Sequence, residues 1–218
     1  MVAQITDGTA FDKRGRPFRR RNYLPGMLLF VALAVVTLLV WVMALSRPPD
    51  VHEATICNAP PPPADPSAPV PKLGEQVTRA DMTDVMPAKL ADAKIRVLNA
   101  SGQGGQAAEV AGELRDLGFA EPAASNDTVY ANSRLECIGQ IRFGPSGRAA
   151  AAAVWLVAPC TELFQDQRSD DTVDLAIGTE FGELTHNDDI DAVLASLRPD
   201  ATQAADPTLL KKIHTAAC

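Results

Sequence analysis

A chain of 218 residues with a formal net charge of −7 is long enough for one folded domain plus appendages. The charge is uneven: residues 1–23 carry six basic side chains (Lys13, Arg14, Arg16, Arg19, Arg20, Arg21) against Asp7 and Asp12, which leaves −11 for the rest. So acidic a body argues against nucleic acid as a partner, because phosphate neutralisation needs Lys and Arg, and against adhesion to anionic surfaces.

In chain order, the first element is the uncharged run Leu24–Leu45, 22 residues long. A helix of about 20 apolar residues crosses a bilayer core of roughly 30 Å. Tyr23 and Trp41 lie toward the two ends, where amphipathic rings suit the interface. A signal peptide has a shorter apolar region, about 7–15 residues, and a small-residue cleavage motif. This run is longer and nothing like A-x-A follows it, so it is expected to be an uncleaved anchor in the cell membrane. Only Arg47 closely follows the span, so the positive-inside rule predicts a cytoplasmic N-terminus and an extracytoplasmic C-terminal portion.

Nine of the 17 prolines fall between Pro48 and Pro71, including the run Pro60–Pro63. That composition predicts an extended tether. Residues 73–93 are mixed, with a short helix expected near Gly74–Ala80 and a loop around Pro87. The folded signal starts at Lys94. Ile95-Arg96-Val97-Leu98 reads as a strand ending at Asn99. Ala107, Val110, Ala111, Leu114 and Leu117 recur at helical spacing, predicting a helix over 104–117. Gly118 stands at its C′ position and Phe119 at C″.

A weak strand is expected near Thr128–Tyr130, and a firmer one over Ile138–Phe143. Ser146 is expected to cap a well-buried helix running to about Val157, before Pro159. Thr172–Gly178 reads as a strand, Asp189–Leu197 as an amphipathic helix, and Pro207–Ala216 as a last helical turn or two. The expected fold class is therefore α/β: a small sheet of mixed strand order with helices packed on it, built from two βα units and preceded by a single transmembrane helix. The expected divisions are a basic cytoplasmic tail (1–23), the span (24–45), a Pro-rich extracytoplasmic linker (46–93), the α/β domain (94–198) and a C-terminal tail tied back by a disulfide (199–218).

The run IRVLNASGQGGQAAEVAGELRDLGF resembles the opening of the LytR C-terminal domain family. The likeness rests on Val97-Leu98-Asn99, the turn Ser101-Gly102, the Ala-rich stretch Ala107 to Leu114, and Leu117-Gly118-Phe119. Ile177-Gly178-Thr179-Glu180-Phe181 is similar to the family's closing strand. In that family the domain is often appended to enzymes that attach glycopolymers to the bacterial wall. Here no catalytic domain lies between the span and the first strand. The resemblance implies a non-catalytic role in maintaining the cell envelope and carries no binding residues onto this chain.

Gly102-Gln103-Gly104-Gly105-Gln106-Ala107 fits the G-x-G-x-x-[GA] pattern of a strand-to-helix phosphate turn. No apolar strand ending in an acid follows at the required distance, so a dinucleotide is not expected. A tight turn explains the glycines most simply, with an anionic group on Ser101, Gly102, Gly104 and Gly105 as the alternative. His52-x4-Cys57 with His214-x3-Cys218 has the composition of a zinc site. Beyond the span, however, oxidation is favoured, and four cysteines there read as disulfides, so neither metal nor cofactor is expected. No G-x-S-x-G motif is present, and His186 stands in an acidic loop, so no catalytic residues are assigned.

Four cysteines allow three pairings. A strand of six residues and a returning helix of 14 cover similar lengths, roughly 20 Å each. That places Cys137 and Cys160 at one end of a βα unit and predicts Cys137–Cys160, with Cys57–Cys218 by remainder. The function expected is a non-catalytic scaffold that holds partner proteins, such as envelope or cell-division membrane proteins, at the outer face of the membrane. The alternative is a binding module for a wall polymer or a lipid-linked phosphate precursor, using the turn at Gly102–Gly105.

Overall fold

The computed structural model of the protein describes residues 23–45, 56–63 and 71–215. The basic N-terminal residues, His52 and Cys218 lie outside the described residues. The chain divides near Asp50 into two units.

The N-terminal unit is helix α1 (Leu24–Leu45). Its stretch Leu24–Val42 has a mean hydropathy of 2.5, and Phe30, Leu33 and Trp41 among others are exposed. Such a helix is long and apolar enough to cross a membrane, where lipid solvates those side chains. The Thr37 hydroxyl donates to the Leu33 carbonyl, 2.9 Å away, the internal bond a hydroxyl needs in lipid.

The second unit is built on a six-stranded sheet of β1 (Glu75–Val77), β2 (Ile95–Asn99), β3 (Ala123–Asn126), β4 (Gly139–Phe143), β5 (Glu162–Gln165) and β6 (Val173–Ile177). The order is β1-β5-β4-β6-β2-β3; β1–β5 and β4–β6 are antiparallel and the other pairs parallel. Alternation along the strands sets the two faces. Val97, Leu175, Ile141, Leu163 and Val77 align across five strands. On their side pack α3 (Gln106–Asp116) and α4 (Arg148–Val157), with α2 (Arg79–Thr83), α5 (Asp188–Ser196) and α6 (Pro207–His214) completing one apolar core.

Local chemistry explains the helices. In α3 the buried residues Ala107, Val110, Ala111 and Leu114 form one stripe. Gly118 then takes φ 105°, and the N–H of Phe119 donates to Leu114 while that of Gly118 donates to Arg115. This is the Schellman closure expected from Leu117-Gly118-Phe119. Helix α4 is buried from Ala150 to Val157, since it lies between the sheet and the outer helices. Ser146 does not cap it; a 3-10 turn, Pro145–Gly147, leads in, and Gly147 at the N-cap offers no side chain. Asn187 caps α5 by accepting from the Ile190 N–H at 2.9 Å.

The structure corrects several expectations. The folded unit begins well before Lys94: β1 stands where a short helix was expected, and Met82 and Leu90 are fully buried. The third strand is Ala123–Asn126 instead of Thr128–Tyr130, because the Asp127 carboxylate accepts from the N–H groups of Val129 and Tyr130 and folds them into a turn. Strand β5 follows α4 directly. The arm 56–63 is fastened to the domain: Asn58 donates to the Arg134 carbonyl and accepts from the Glu136 N–H, and the Tyr130 hydroxyl donates to the Asn58 carbonyl.

The disulfide pairing is also corrected. Cys57 is bonded to Cys137, 80 residues on, so neither Cys137–Cys160 nor Cys57–Cys218 forms. The lengths of β4 and α4 do match, but Cys137 belongs to a second, smaller cluster with Ala100, Tyr130, Leu135 and Ala176. Ala176 and its neighbour Leu98 point away from the helices, so the sheet separates Cys137 from the layer containing α4. Cys160 is disulfide-bonded too.

Candidate functional site

Strand β2 delivers Asn99 to the glycine-rich turn, and the turn uses its own polar groups. The Asn99 side-chain amide oxygen accepts from the N–H of Ser101, the N–H of Gly102 and the Ser101 hydroxyl. The Ser101 hydroxyl interacts with the Gln106 amide oxygen at 2.6 Å and accepts from the Gln103 N–H. Gln106 in turn donates to the Phe181 carbonyl. The N–H groups of Ser101, Gly102 and Gln103 are therefore consumed internally and are not offered to an anion. Gly105 sits at the N-cap of α3 with φ 88°, a left-handed backbone that glycine alone adopts without strain; Gly104 has no such requirement.

A second constellation lies on the face of the sheet against which no helix packs among the described residues. Register aligns Arg96 on β2 with Asp174 on β6, and Asp174 with Arg142 on β4. Arg96 donates to both Asp174 oxygens, at 2.6 and 3.0 Å. Asp174 also accepts from Arg168 at 2.7 Å, and Arg168 forks onto Asp166. Arg142 is buried; it donates to Asp127 at 2.7 Å and to Gln140 twice, with the Tyr130 ring 5.7 Å from its guanidinium carbon.

These pairings fix the charges. Burial works against the Arg168 charge, but Asp166 and Asp174 outweigh it and hold its pKa above the ordinary value. Burial likewise opposes the Asp166 carboxylate, yet the bonds from Arg168 prevail and hold it below the carboxylate range. The result is a lattice of three guanidinium groups and three carboxylates with its geometry set before anything binds. Against it lies a cavity of about 280 Å³ whose walls include Lys72, Ser125, Asn126 and Thr128. Sequence reading missed this constellation because Arg96, Arg142 and Asp174 occupy the polar positions of alternating strands. The available signal was their arrangement: one carboxylate position flanked by two arginine positions once β6 lies between β2 and β4.

Other singled-out residues are apart from it. His186 is exposed, and His214 is buried on α6. Asp171 pairs with Lys94, and Asp170 accepts from Thr172. Among the described residues no group of three His, Cys, Asp or Glu side chains is arranged to hold a metal.

Residues 92–181 match the family described as LytR cell envelope-related transcriptional attenuator. Over its whole length the chain is 66% identical to the cell envelope integrity protein Cei of Mycobacterium tuberculosis, and the match covers all of both. It is also similar to the crystal structure of the soluble domain of a conserved hypothetical secreted protein from Mycobacterium marinum. That match has 69% identity and a TM-score of 0.67, covering 67% of this chain and 99% of the other.

Proposed function

The chain belongs to the LytR C-terminal domain family of cell-envelope proteins, and from that premise we propose that it is a non-catalytic scaffold holding partner proteins at the outer face of the membrane. Helix α1 is its anchor. The basic residues before the span support an N-terminus in the cytoplasm, and the Cys57–Cys137 bond supports an oxidising, extracytoplasmic location for the domain.

The observation that carries the partner-holding reading is the helix-free sheet face. The face is edged by β3, all four residues of which are exposed, and it presents side chains already locked by ion pairs. A surface ordered in advance loses little conformational entropy on binding. A strand edge with free backbone groups adds a second mode of attachment.

The test is site-specific photocrosslinking in living cells. A photoreactive residue at Ala123, which is aligned with Arg96, is expected to give protein adducts. The same residue at Glu109, exposed on α3, is expected to give none. Adducts from neither position, together with sedimentation of the chain with isolated wall, would replace this reading with wall-polymer binding.

A further inference from the structure

We propose that the cavity on the helix-free face is a binding site for a phosphate group, free or esterified. The inference goes beyond partner holding, which requires no small ligand. Its first ground is charge. The chain is acidic overall, yet the cavity walls carry Lys72, Arg96, Arg142 and Arg168 against Asp166 and Asp174. Counting Asp127 behind Arg142, the balance is still one positive charge. A recess with low-dielectric walls focuses that field.

The second ground is the division of labour among the cations. Arg142 has its donors engaged by Asp127 and Gln140 and forms a floor. Arg168 is held by Asp166 and Asp174. Arg96 is different: Asp174 engages its Nε and Nη2, its Nη1 has no partner among the described residues, and its side chain is half exposed. Lys72 also has no partner among the described residues. These two cations, with donors to spare, stand over a base of two guanidinium groups and three carboxylates.

The third ground is the neutral donors. The side chains of Ser125, Asn126 and Thr128 line the same cavity and make no hydrogen bond to the described residues. With Arg96 and Lys72 they make five donor groups. A carboxylate offers two oxygens, whereas a phosphate monoester offers three terminal oxygens with several lone pairs, which matches this set better. A cavity of about 280 Å³ holds a phosphate with part of its alcohol.

The test uses the full chain in a non-ionic detergent, followed by amide and arginine Nε–H NMR signals. One arm titrates inorganic phosphate, a second short-chain phosphatidic acid, and controls use acetate and chloride at matched ionic strength. The expected result is saturable shifts at Arg96, Ser125 and Asn126 with phosphate, with the lipid, or with both, the arm that saturates at lower concentration naming the source. Binding should weaken about tenfold in Arg96→Gln, as expected for one charge-assisted hydrogen bond. Lys72→Ala, at an exposed position, should weaken it several-fold without altering the melting temperature. Equal shifts with acetate or chloride, no saturation in either phosphate arm, or undiminished binding in Lys72→Ala and Arg96→Gln would overturn the proposal.

Discussion

Trp155 and His214 lie ring on ring, with centroids 4.1 Å apart and planes inclined by 23°. Arg79 covers the indole from 5.3 Å, and the indole N–H donates to the Pro159 carbonyl. The stack joins α4, at the centre of the core, to α6, the last helix among the described residues. Neither ring nitrogen of His214 has a hydrogen-bond partner among the described residues.

This arrangement makes the domain sensitive to acid. Burial, helped by the Arg79 charge, holds the His214 pKa below its ordinary value; the Thr83 backbone pulls the other way without reaching hydrogen-bonding geometry. The unfolded state therefore binds a proton more readily than the folded one. Stability from this group is fully present above a pH of about 6.5 and is lost as pH falls below it. His214→Phe keeps a stacked ring and removes the titration. Denaturant melts at stepped pH should show the wild type weakening below about pH 6.5 and His214→Phe weakening less.

Asp127 and Arg142 form a buried ion pair, with side chains 0% and 5% exposed. Removing one partner strands the other charge, which costs about 3–5 kcal/mol in such sites. Asp127→Ala also frees the N–H groups of Val129 and Tyr130. Urea unfolding should show a loss of about 3 kcal/mol or more. The double change Asp127→Ala with Arg142→Met should cost less than the sum of the two single changes.

The Cys57–Cys137 bond closes a loop across 80 residues of sequence. On the chain-entropy account such a loop stabilises by about 4 kcal/mol. Cys57→Ser should lower the midpoint of chemical unfolding accordingly, and mapping of unreduced peptides should recover Cys57 joined to Cys137. A Cys57–Cys218 peptide would contradict the structure.

Gly105 and Gly104 separate backbone geometry from composition. Gly105→Ala forces a Cβ into a left-handed conformation and should cost about 1–2 kcal/mol. At Gly104 nothing lies within 4 Å of the position an added methyl group would take, and φ is not positive, so Gly104→Ala should be close to neutral. Thermal melts of the two variants measure the difference.

The elements legible in the sequence were those with a strong period. β2, β4 and β6 alternate Ile95/Arg96/Val97, Ile141/Arg142/Phe143 and Val173/Asp174/Leu175, and α3 carries both its stripe and its closing Gly118. What was illegible was short or peripheral. β1 has three residues, β3 is the exposed run Ala-Ala-Ser-Asn, and β5 has four residues straight after a helix. Pairing to a neighbour stabilises such strands more than their own propensity does. Within the candidate site, the turn at Asn99–Gln106 was visible from its glycines. The arginine–aspartate lattice was not, because it exists only once strand order places β6 between β2 and β4. The disulfide failed for a related reason: element lengths say which ends meet, but not on which side of the sheet a side chain emerges.

The Cys57–Cys137 bond also decides where mechanical force enters the domain. Any pull between the anchor helix and a partner on the domain travels along the chain to Cys57. There it passes through the sulfur atoms to Cys137, next to β4 near the middle of the sheet. The stretch from residue 58 through β1 lies within the covalent loop and is bypassed by that load. The short edge strand β1, which three residues and one neighbour would hold weakly against peeling, thus bears no tension while the bond is intact. Under reducing conditions the same pull would load the Asn58 hydrogen bonds and then β1, and the domain would begin to unravel from its edge.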